Sequence, residues 1–128
     1  MEEAEEYFRH SLAISDEMGR AVIKAISLGG LGMAYLFQGR LAEAEKSYKQ
    51  SLSIFRELGD ILNEATTLNH LGILSSRQGQ LEQAEKFYQE SLAVSHRIND
   101  RAGEERVLRN LSALAEQKNE EPTTKEQG

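Results

Sequence analysis

The sequence has no cysteine and a single proline, Pro122. Without cysteine there is neither a disulfide framework nor a thiolate metal site, the two devices on which small secreted scaffolds most often depend. Val and Ile are sparse beside Leu, Ala, Glu, Gln, Lys and Arg, which is a helix-forming composition. No stretch alternates with period two for long enough to suggest a sheet. The chain opens "MEEAEEYF", so no apolar run of signal-peptide length stands at the N-terminus, and no 18-residue apolar span is expected anywhere. These absences predict a soluble, cytoplasmic protein or a fragment of one. A formal net charge of -6 disfavours nucleic acid and an anionic membrane as partners. At 128 residues the chain is one domain in size.

What is present is repetition. "GRLAEAEKSYKQSL" at 39–52 returns as "GQLEQAEKFYQESL" at 79–92, a shift of 40 residues. A third copy stands at the start, where Ala4, Phe8, Ser11 and Leu12 match Ala44, Tyr48, Ser51 and Leu52, and then Ala84, Tyr88, Ser91 and Leu92. The other half of the unit repeats as Leu28, Leu31 and Gly32, then Leu68, Leu71 and Gly72, then Leu108, Leu111 and Ser112. Gly19, Gly59 and Asn99 fall at the same interval, where a helix would stop in the left-handed conformation. Gly39 and Gly79 mark a second break.

These breaks predict six helices, at 2–18, 21–38, 41–58, 61–78, 81–98 and 101–118. Apolar and small residues recur in them at spacings of three and four. Asp60 and Asp100 stand where a carboxylate can cap a helix N-terminus. Loops this short join antiparallel neighbours. A pair of helices cannot bury its apolar stripe alone, so the copies must stack into an all-α solenoid. Its expected divisions are a partial unit at 1–19, full units at 20–59 and 60–99, and a partial unit at 100–119. The tail 120–128 offers almost nothing apolar to pack and is expected to be disordered.

The series Leu31-Gly32, Tyr35, Ala44 and Tyr48 resembles the tetratricopeptide repeat family, in order and spacing. Leu71-Gly72, Ala84 and Tyr88 follow, with Ser75 in place of the aromatic, while Leu111, Ser112 and Ala115 match more weakly. The 40-residue unit, with "LGD" at 58–60 and "NHLG" at 69–72, is similar to the longer variety seen in kinesin light chain and spindle-orientation adaptors. Two departures stand out. Arg56 and His96 occupy the place of the usual proline, and Ser51 and Ser91 the place of the second alanine.

The resemblance implies a right-handed superhelix whose first helices line a concave groove for a peptide or helical segment of a partner protein. Carried over residue by residue, the groove would present Met33, Leu36 and Phe37 from one unit and Asn69, His70, Ile73 and Arg77 from the next. Arg106, Arg109 and Asn110 would come from the last. Core packing is the alternative for Met33, Leu36 and Phe37. Asn69 and the arginines are harder to place in a core, since such groups stay wet unless paired.

No catalytic chemistry emerges from the residue pattern. His10, His70 and His96 lie on separate predicted helices, none with a second histidine one turn away, so no metal or cofactor is expected. The glutamates cluster in first turns, where they favour the helix dipole. "LGGLG" at 28–32 is no phosphate loop, because it lacks the Gly-Lys-Ser/Thr ending and follows no strand. Gly29 and Gly30 lie outside the repeat, and either a bound segment passes close over them or the spot is tolerant. The chain is therefore expected to be a binding scaffold and not an enzyme. An alternative is self-assembly, head to tail, through uncapped terminal helices bearing Phe8, Leu12, Leu108 and Leu111.

Overall fold

Every turn between helices is made by a residue in the left-handed region. These are Gly39 at φ 75°, Gly59 at 69°, Gly79 at 77° and Asn99 at 57°. They bound α1 (Glu2–Phe37), α2 (Leu41–Leu58), α3 (Ile61–Arg77), α4 (Leu81–Arg97) and α5 (Arg101–Glu120). The computed structural model describes residues 2–120, apart from the side chains of Glu2, Phe8 and Ser15. The expected tail lies outside that range beyond Glu120. There is no strand among the described residues. The helices form antiparallel pairs, α1 with α2 and α3 with α4, stacked one after another and followed by α5.

Among the described residues five helices stand where six were expected, because the break at Gly19 does not occur. The position differs from its two counterparts one residue further on. At the matching turns Asp60 accepts the backbone N–H of Asn63 at 3.2 Å, and Asp100 accepts that of Gly103 at 3.1 Å. The corresponding residue is Arg20, which has no acceptor to offer. A side-chain cap is not required for a stop, since helices also end at Gly39 and Gly79, where Arg40 and Gln80 make no cap hydrogen bond. At Gly19 the left-handed turn is not taken and the helix continues. The result is a single rod of 36 residues. A stretch of this rod is long and apolar enough to cross a membrane by length and composition, contrary to the expectation of no such span.

Within each pair the two helices meet through a glycine and a tyrosine. A Cβ built on Gly32 would lie 2.7 Å from Cε1 of Tyr48, and one on Gly72 would lie 2.5 Å from Cδ1 and Cε1 of Tyr88. Glycine here makes room for a ring. Ala44 and Ala84, fully buried, hold the backbones close further along. The serines at the second-alanine positions also have a packing role. Ser51 Oγ donates to the carbonyl of Ala25 at 2.7 Å, and Ser91 Oγ donates to that of Ala65 at 2.7 Å. Leu36, Ala44, Tyr48, Leu68, Leu71 and Leu74 belong to one core cluster, and Ala84, Tyr88, Val107 and Leu114 form the next. Ile73 packs against both.

Gly72→Ala is expected to destabilise the fold by about 1–3 kcal/mol, because a ring buried on all sides must shift. A Cβ built on Gly30 would meet nothing within 4 Å. Gly30→Ala should therefore stabilise by about 0.5–1 kcal/mol through helix propensity alone. Urea unfolding followed by circular dichroism measures both, and equal effects of the two changes would refute the steric account.

Candidate partner-binding face

The first helices of successive units, α1, α3 and α5, carry the expected binding residues. A ladder of polar contacts ties α3 to α5. Asn110 Nδ2 donates to Asn69 Oδ1 at 2.8 Å. One helical stretch further on, Ser76 Oγ donates to Gln117 Oε1 at 2.7 Å, and Gln117 Nε2 donates to the carbonyl of Ser76 at 3.2 Å. Asn69 is thereby only 3% exposed, a buried amide made tolerable by its partner. In both contacts the partners are 41 residues apart, one repeat plus one residue.

The same step earlier would pair Gly29 with His70, and glycine has no side chain to offer. His70 lies instead against the ring of Tyr48, with centroids 5.4 Å apart and planes tilted by 35°. Burial, aided by the positive charge of Arg106, lowers the His70 pKa below the ordinary imidazole value. Tyr48 is shifted upward by burial, which Arg77 partly opposes. Its buried hydroxyl has no hydrogen-bond partner among the described residues. Tyr88, in the matching place, is pushed up to about 12 by burial.

The remaining candidates divide between core and surface. Leu36 is buried in the first core cluster, and Ile73 is half-buried. Met33 and Phe37 are exposed, Phe37 at 76%. Arg77, Arg106 and Arg109 are exposed and make no ion pair among the described residues. On the second helices Arg56 reaches Glu64 at 2.9 Å and Glu90 at 3.6 Å, and Lys49 reaches Glu45 at 2.9 Å, while Lys46, Lys86 and Arg97 make no ion pair among the described residues. Of the residues expected at the terminal faces, Leu12 and Leu108 are exposed and Leu111 is half-buried against the second cluster. The Phe8 side chain lies outside the described residues.

Sequence reasoning did not anticipate the Tyr48–His70 contact or the serine bonds to helix carbonyls. The signal for the serines was their recurrence as Ser51 and Ser91, each 26 residues beyond its acceptor. Among the described residues no group of three or more His, Asp or Glu side chains is placed to hold a metal ion.

Residues 1–57 and 63–122 each match the sequence profile described as tetratricopeptide repeat. No match is found among curated proteins. Repeats of this kind are scaffolds that bind proteins and peptides and are not catalysts. With nearly the whole chain covered by the two matches, and the helix pairs stacked as the repeat requires, the protein belongs to the tetratricopeptide repeat family.

Proposed function

We propose that the first helices line a groove which receives a peptide or helical segment of a partner protein, with carboxylates at one end and apolar side chains at the other. The observation that carries this reading is the state of Arg77, Arg106 and Arg109. All three are exposed on α3 and α5 without a carboxylate partner among the described residues, in a chain of net charge -6. Arginine heads left unpaired in this way are suited to bidentate recognition of carboxylates. The polar ladder between α3 and α5 fixes the two helices that carry these arginines against each other. Met33 and Phe37 supply exposed apolar surface on α1, while Leu36 backs them from the core. The 40-residue unit, similar to that of peptide-binding adaptors of the longer variety, favours the same reading.

A second reading, end-to-end self-assembly, draws on the exposure of Leu12 and Leu108. Its signature would be growth of mass with concentration that Leu108→Glu abolishes.

Labelled peptides with an acidic half and an apolar half, screened by fluorescence anisotropy, test the groove. Arg106→Ala/Arg109→Ala is expected to weaken binding of a selected peptide about tenfold or more, and added salt should weaken the native protein's binding. Unchanged affinity of the double variant rejects the charge assignment. His70 provides an independent check. Its pKa in the free protein is held low by burial and by Arg106. A carboxylate docked on Arg106 offsets that charge and raises it, so peptide binding takes up protons, and affinity rises as pH falls through the range just below the ordinary imidazole value. Chemical-shift titration of the His70 ring with and without saturating peptide reads this directly; no upward movement refutes docking beside Arg106.

A further inference from the structure

The packing of α2 on α3 shows how residues 2–18 are suited to lie on residues 21–37, since the two pairs are related by the same 40-residue step. In α3, Leu71 is 1% exposed and shares a cleft with Leu52 of α2. One unit earlier its counterpart, Leu31, is 47% exposed. Leu12, the counterpart of Leu52, is 65% exposed against 7% for Leu52. Surfaces that meet in the next unit are both bare here, because the unbroken α1 holds them end to end on one rod.

The charges carry the same message. Arg56 pairs with Glu64 at 2.9 Å across the turn between α2 and α3, and His96 contacts Glu104 at 2.9 Å across the turn between α4 and α5. Asp16 and Lys24 occupy the matching positions with the signs exchanged. Opposition of charge is retained although both residue types differ. On one straight helix these two residues stand eight positions apart, about 12 Å along the axis, and cannot meet. Neither has an ion pair among the described residues. An antiparallel crossing would bring them together.

We propose that two copies of this chain exchange residues 2–18, each laying this segment antiparallel on residues 21–37 of the other about a dyad near Gly19 and Arg20. The hairpin of α2 and α3 turns at the matching residues, Gly59 and Asp60. Opening that hairpin into two continuous helices crossed at the same point keeps the register of every contact. Leu12 then faces Leu31 of the other copy, and Asp16 faces Lys24, twice over. Gly19 brings no side chain to the dyad, so the rods can approach there. The contact is isologous, and the assembly closes as a dimer and does not run on.

The absence of cysteine makes the test direct. In Leu12→Cys/Leu31→Cys, mild oxidation is expected to give a covalent species of twice the 14.4 kDa chain mass. Within one copy the two positions are about 28 Å apart along α1 and cannot bond. An internal disulfide in a monomer would show that residues 2–18 fold back on their own chain and would overturn the proposal, as would no disulfide at all. Light scattering behind size exclusion on the native chain should give twice 14.4 kDa at micromolar concentration. A monomer mass at every concentration overturns the exchange. Asp16→Lys and Lys24→Asp should each weaken the dimer about tenfold, two pairs being lost, and the double variant should recover it. No recovery refutes the pairing. Leu108→Glu should leave the dimer intact, which separates the exchange from end-to-end growth. Flotation of a monomeric protein with phosphatidylcholine vesicles would assign the bare face of α1 to lipid and overturn the proposal.

Discussion

The fit of a tyrosine ring over a glycine holds each helix pair together, and the rest of the architecture follows from it. Tyr48 on Gly32 and Tyr88 on Gly72 set the distance between first and second helices. At that distance the flanking Ala44 and Ala84 are fully buried, and Ser51 and Ser91 reach the carbonyls of Ala25 and Ala65. A ring fully removed from water contributes on the order of 2–3 kcal/mol, and a methyl group in its path forfeits much of it. The stack can therefore tolerate wide change on its polar faces and little at these two contacts.

A second constraint decides where helices end. All the turns between the five helices use a left-handed residue, but only those after α2 and α4 add an aspartate cap. Gly19 has the flexibility without the cap, and the helix runs through it. Arg20 stands here where Asp60 and Asp100 stand in the next units, and a rod replaces the hairpin, although Gly39 and Gly79 end helices with no side-chain cap. The face of residues 21–37 loses its intramolecular cover as a consequence. What the protein does with that face and what it does with the arginines of α3 and α5 are separate questions, since they lie on different helices and involve different forces. One is apolar and suits a matched helix. The other is charged, wet and suited to a carboxylate.

The sequence by itself determined the repeat, the helix pairs, the stacking and the family. These follow from periodicity, which is a property of the chain that needs no coordinates: a 40-residue recurrence of Gly, Ala, Tyr and Ser admits few packings. The turns at Gly39, Gly59, Gly79 and Asn99 were legible for the same reason, as was the capping role of Asp60 and Asp100. The tertiary structure decided what periodicity cannot rank. It sent Leu36 into the core and left Phe37 outside, though they are adjacent and both apolar, because only one of them points at the cluster. It buried Asn69 by giving it Asn110, and seated His70 on Tyr48 where glycine left no polar partner. It also carried α1 straight through Gly19, since whether a glycine ends a helix depends on the free energies of its caps and neighbours and not on the glycine alone.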